Sequence, residues 1–195
     1  MEKNYRVTTF VMDSGERYCM VVDRASGLPM YYPTLFLTTQ IRNKGNAFST
    51  TLAAANNLVL LLRFLESRDI NLEQRFLTKD FFKPHELDDL RDFAQRKQVR
   101  MPSKALSNPW LDDELTNIVD NGTQHSRLTT FANYLRWYAM HILKMPELDV
   151  VEQINAMAEQ IKTRRPSKQG RNGDLQDKSL SDVQLDALFE LIQPG

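Results

Sequence analysis

Apolar and polar positions change rhythm twice along the chain. Residues 5–12, YRVTTFVM, and 17–23, RYCMVVD, are rich in β-branched and aromatic side chains. The turn-forming DSGE at 13–16 separates them, and RASGLP at 24–29 follows. The pattern predicts a β-hairpin. Residues 30–37, MYYPTLFL, stay aromatic and apolar but contain Pro33, so any strand there is short or at an edge. A polar loop, TTQIRNKGN, comes next.

From about Phe48 the period becomes helical. Leu52, Ala55, Leu58, Val59, Leu62 and Leu65 form a stripe, opposed by Ser49, Thr50, Asn56, Asn57 and Arg63. Ser49, Thr50 or Thr51 can cap this helix. SRDIN at 67–71 ends it. A second helix is expected near Thr78 and a third after Pro84, a residue well placed in a first turn. Beyond NGTQHS, with Thr123 or Ser126 as cap, a further helix carries Leu128, Phe131, Leu135, Tyr138 and Ile142, with Ala132 and Ala139 alongside. Pro146 ends it. Residues 147–163 are helical again, with Val150, Val151, Ile154, Ala158 and Ile161 inward. Residues 164–178 lose nearly all apolar character and read as a linker. SLSDVQLDALFELIQPG, 179–195, then shows one more amphipathic helix stopped by Pro194 and Gly195.

Composition narrows the classes. The 195 residues are 42% hydrophobic and 26% charged, ordinary for a soluble globular protein able to bury a core without metals or disulfides. Cys19 is the single cysteine, which fits a reducing compartment, and a cytoplasmic location is expected. The longest unbroken aliphatic run, 58–62, falls far short of the ~20 residues that span a bilayer, so no membrane partner is expected. With 25 basic and 25 acidic residues the net charge is zero. The distribution matters more: 162–171, KTRRPSKQGR, has no acid, whereas 86–92, ELDDLRD, is acidic.

No enzyme chemistry is visible. His85, His125 and His141 lack ligand spacing with other His, Cys or carboxylates, so no metal is expected. No phosphate loop or nucleophile elbow occurs, no catalytic residue is assigned, and no cofactor is implied. Asp88–Asp89 and Asp112–Asp113 are read as helix-start acids complementing the dipole.

Three segments together resemble the tyrosine recombinase (phage integrase) family. KGNAFSTTLAAANNLVLLLRFLESRDINL, 44–72, looks like the first helix of that family's core-binding domain. SRLTTFANYLRWYAMHIL, 126–143, resembles a later helix of the same domain. KSLSDVQLDALFELIQPG, 178–195, resembles the segment that opens the catalytic domain. The resemblance implies a mainly α chain: a small SAM-like helical bundle preceded by an N-terminal β-hairpin. It divides the chain into a hairpin region (1–37), a core-binding domain (38–163), a basic interdomain linker (164–178) and the first helix of a truncated catalytic domain (179–195). The family's His-x-x-Arg is missing, because ELD, SRL and ILK follow the three histidines. The implied role is therefore sequence-specific DNA binding within a recombinase, without catalysis by this portion. Double-stranded DNA and other recombinase protomers are the implied partners.

Donor chemistry nominates the contacts. Helix-start hydroxyls at Ser49, Thr50, Thr51, Ser126, Thr129 and Thr130 suit phosphate oxygens. Asn56, Asn57 and Asn133 match adenine's donor–acceptor edge. Arg127 and Arg136 suit guanine or phosphate. Arg42 and Lys44 add charge from the loop, and Lys162, Arg164, Arg165, Lys168 and Arg171 follow the backbone through the linker. The competing reading is a helical protein-interaction module with no nucleic-acid role, favoured by the zero net charge and the acidic 86–92. The hairpin is either a DNA reader, a lid or a contact to a neighbouring protomer.

Overall fold

The computed structural model describes residues 4–97 and 118–167. It is mainly helical with an N-terminal antiparallel hairpin, as the hydropathy pattern predicts. Strands β1 (Tyr5–Val11) and β2 (Arg17–Asp23) pair with Val7 opposite Val21 and Thr9 opposite Cys19. Gly15 turns the chain at φ 81°, a left-handed conformation that costs glycine little. Cys19 and Val21 are fully buried.

Residues 30–41 depart from the expected edge strand and loop. Helix α1 (Tyr31–Phe36) runs on through a π-helical turn, Leu37–Ile41, and a 3-10 turn, Arg42–Lys44. Pro33 is the third helical residue, where the missing N–H has no intrahelical acceptor to lose. Aromatic packing decides the outcome. Tyr32 and Phe36, one turn apart, set their edges against Tyr138 at 4.8 Å and Tyr134 at 5.3 Å.

Helix α2 (Phe48–Ser67) runs through the centre, with the hairpin on one side and a long helix, α5 (Asn121–Leu143), on the other. By length and a mean hydropathy of 1.3 it resembles a membrane span, but half of it is buried within the protein. Its buried face is wider than the expected stripe, taking in Thr51, Ala54, Leu60, Leu61 and Phe64, while Leu52 and Leu62 are only half-buried. Its cap is Ala47, with no side-chain cap bond, so Ser49, Thr50 and Thr51 lie inside the first turn rather than capping it.

The remaining helices are α3 (Leu72–Leu77), α4 (Pro84–Gln95) and α6 (Leu148–Thr163). Thr78 closes α3 instead of opening a helix. The start signal is Asn71, whose side chain accepts the Gln74 N–H at 3.1 Å. Helix α4 opens at Pro84 as expected, and Glu86 accepts the Lys83 N–H at 2.8 Å. Asp88 and Asp89 lie within α4, past its first turn, and bind Arg164 at 2.7 Å and Arg68 at 2.9 Å instead of serving the helix start.

Helix α5 starts at Asn121, five residues before Ser126. Asp120 caps it by accepting the Thr123 N–H at 3.0 Å and hydroxyl at 2.5 Å, which draws NGTQHS into the helix. Of its expected core residues Leu128, Phe131, Ala132, Leu135, Tyr138 and Ala139 are buried and Ile142 only partly so; Tyr134 joins the buried set. Helix α6 packs on α5 through Val150, Ile154, Ala158 and Ile161; Met157 is buried too, and Val151 only partly. The acidic pair 112–113, Lys168, Arg171 and the helix expected over 179–195 lie outside the described residues.

Candidate nucleic-acid interface

Helices α2 and α5 lie side by side and leave an open groove of about 1730 Å³ along one face. Residues nominated for their donor chemistry converge there. Helix α2 supplies Thr50, Asn56 and Asn57; α5 supplies Ser126, Arg127, Thr129, Thr130, Asn133 and Arg136; the 3-10 turn supplies Lys44. The periodicity explains the convergence. Asn57 is the half-buried polar position between the exposed Asn56 and the buried Leu58, so it faces the neighbouring helix.

A hydrogen-bond network crosses the groove floor. The Asn57 amide donates to Thr130 Oγ1 at 3.0 Å and lies 3.4 Å from Ser126 Oγ. Thr129 and Thr130 hydroxyls each donate back to the carbonyl one turn earlier, at 2.7 and 3.0 Å. Their lone pairs and the Asn57 carbonyl oxygen set the polarity above the floor. Asn56 donates to the Leu52 carbonyl at 2.9 Å and stays exposed; Asn133 is exposed beside it. Arg136 stands exposed on the rim, with Nε held by Asn155 Oδ1 at 2.6 Å.

Lys44, Arg127 and Arg136 are the arginines and lysines of the lining, and Asp120 is the one carboxylate among the described lining residues. Asp120 already holds the α5 N-terminus, and its bonds from Thr123 keep its carboxyl below the usual range.

Several nominated residues take structural work instead. Arg127 donates to the Ala94 and Arg96 carbonyls at 2.7 and 2.8 Å, tying the end of α4 to α5. Its burial lowers its pKa through desolvation. Arg42 pairs with Glu16 and lies over the Tyr18 ring, 5.4 Å from its centroid, in a small cleft that also includes Thr51. Thr51 is only 4% exposed, so it faces the core and not the groove. Ser49 is exposed outside the groove lining. Arg164 is not an open linker residue: it binds Asp88 and the Pro84 carbonyl, fastening the end of α6 to α4. Lys162 pairs with Glu159 at 2.8 Å. Arg165 reaches a residue of the groove lining, donating to Thr129 Oγ1 at 3.2 Å.

Part of the lining is not legible in the sequence. Gln40 and Asn46 sit there because residues 37–44 coil into helical turns, and the Asn46 amide donates to the Ile41 carbonyl at 2.9 Å. Trp137 forms an apolar wall with Phe36 and Met140. Its ring stacks on His141 at 5.1 Å and lies against Tyr134 at 6.0 Å, so neighbours already occupy its faces. Among the described residues no cluster of His, Cys, Asp or Glu is arranged to hold a metal.

Comparison with protein-family models, curated proteins and solved structures gives no match to this chain.

Proposed function

We propose that this chain binds double-stranded DNA through the α2–α5 face, as the core-binding portion of a site-specific tyrosine recombinase working in the cytoplasm beside other protomers. The observation that carries the reading is the groove itself. Two helices whose contacting residues lie 73 positions apart in sequence bring amides, hydroxyls and two rim cations, Lys44 and Arg136, onto one surface. The acids of α4 are engaged elsewhere, with Arg75, Arg164, Arg68 and Arg91. Donors of this kind position a phosphate backbone, and the exposed Asn56 and Asn133 are the candidates for reading base edges. Arg165 joins the chain beyond α6 to the same surface. A gel-shift titration with attachment-site-length duplexes at low salt tests the reading; absence of any shifted species overturns it.

A second reading rests on the apolar wall of the same groove. Phe36, Ile41, Ala54, Trp137 and Met140 suit the apolar face of a partner helix. A helix held there would bind with little dependence on salt, whereas a duplex would not.

A further inference from the structure

Among the described residues, one backbone edge of the hairpin has no partner strand. Asn4 accepts the Arg24 N–H at 2.7 Å and Glu16 accepts the Met12 N–H at 2.8 Å. Antiparallel bonding alternates with period two, so Arg6, Thr8 and Phe10 are the β1 residues that bond to β2. The N–H and C=O groups of Val7, Thr9 and Val11 point the other way. Among the described residues no backbone group meets them. The outer edge of β2, by contrast, is bonded over its C-terminal end: Val21 accepts the Met30 N–H at 2.8 Å, and the Asp23 N–H goes to Leu28 at 2.9 Å.

Apart from Arg6 at its start, β1 carries none of the usual guards of an edge strand. Between Tyr5 and Val11 there is no proline, lysine or bulge. Apolar side chains cluster at the open end, with Phe10 38%, Val11 65% and Met12 41% exposed.

We infer that β1 pairs with β1 of a second copy of this chain, antiparallel about a two-fold axis at Thr9, giving a four-stranded sheet across two protomers. The register follows from chemistry. An axis at Thr9 places Val7 opposite the partner's Val11 and Thr9 opposite the partner's Thr9, β-branched residues that pair well across strands. Every backbone bond then comes from a group that points outward. An axis at Thr8 would call on the Tyr5 carbonyl, which Arg63 already occupies at 3.3 Å. Arg6 is the one charge in β1; the Thr9 axis sets it opposite the partner's Met12, so the two Arg6 side chains never face each other. Val11, the most exposed apolar side chain of β1, gains a cross-strand neighbour. One strand pair buries less than a standard stable interface, so the association is weak in free solution and strengthens when two copies are held close together. It does not depend on the DNA reading.

Cysteine trapping of the full chain tests it. Hydrogen-bonded antiparallel partners lie about 5.5 Å apart at Cα, within disulfide range. Cys19 stands directly opposite Thr9 within the hairpin, where a cysteine at 9 would close an intramolecular disulfide, so every variant carries Cys19→Ala. Thr9→Cys is expected to give a covalent dimer on mild oxidation at high protein concentration, and Thr8→Cys to give much less. Adding Val11→Pro to Thr9→Cys removes an outward N–H without touching the β1–β2 ladder, and the dimer is expected to be lost while far-UV circular dichroism stays unchanged. Should that variant fail to fold, Thr9→Cys with Val11→Lys makes the same comparison. No Thr9 cross-link, an equal yield from Thr8→Cys, or a cross-link that survives the folded edge variant overturns the inference.

Discussion

The Asn57 side-chain amide crosses from α2 to α5 and donates to Thr130 Oγ1 at 3.0 Å. This bond joins the two walls of the groove at its floor, so it belongs both to the packing of the domain and to the surface proposed to meet DNA. Asn57→Ala removes a partly buried hydrogen bond and is expected to cost about 1 kcal/mol, read as a lower urea midpoint with an unchanged m-value. Thr130 keeps its bond to the Ser126 carbonyl at 3.0 Å, so the helix itself persists. A rise in stability on substitution would show that the bond is not a tie.

Arg164 separates packing from binding. It is anchored to Asp88 at 2.7 Å and to the Pro84 carbonyl at 3.3 Å, and the pairing holds the Asp88 carboxyl below its ordinary range. Arg164→Ala is expected to speed amide exchange in the last turn of α6 while leaving duplex affinity nearly unchanged. A large affinity loss with unchanged exchange would place Arg164 at the DNA, as the linker reading expects.

Tyr134 and Tyr138 govern the alkaline limit. Burial pushes both phenols far above their ordinary range; repulsion from Tyr138 and Tyr32 adds to it at Tyr134, and repulsion from Glu73 and Tyr32 adds to it at Tyr138. Between the unfolded value, about 10, and the higher folded value, the folded state holds more protons than the unfolded chain. Their contribution is therefore complete below about pH 10 and declines as pH rises beyond it. Tyr134→Phe is expected to flatten that decline, measured as the urea midpoint from neutral to strongly alkaline pH. An identical decline in the variant would assign the alkaline loss to other groups.

Much of this architecture is legible in the chain, where the information is local. DSGE sets the hairpin, and the three-to-four spacing from Leu128 to Tyr138 sets the buried face of α5. Asn57 and Thr130 could be nominated singly, because each is a polar residue at a helical position beside apolar ones. What is not legible is whatever depends on a distant partner. MYYPTLFL reads as an interrupted strand until Tyr134 and Tyr138 are placed beneath its rings. Arg127 and Arg164 look like free cations until the end of α4 and Asp88 are brought within 2.7 Å of them. Caps are missed where a residue just upstream competes: Asp120, a stronger acceptor than Thr123 or Ser126, starts α5 earlier. The face that donors share, unlike the donors themselves, appears only once α2 and α5 are packed.

The central claim is that the α2–α5 groove grips a phosphate backbone. Fluorescence anisotropy of a labelled duplex, titrated with the full chain across a series of salt concentrations, addresses it most directly. A phosphate grip there makes log K fall linearly with log salt. The Lys44→Ala/Arg136→Ala variant, in which the two rim cations are lost, is expected to give a slope shallower by about 0.9 for each phosphate contact removed. Binding that is absent at low salt, or a slope that the double variant leaves unchanged, would contradict it.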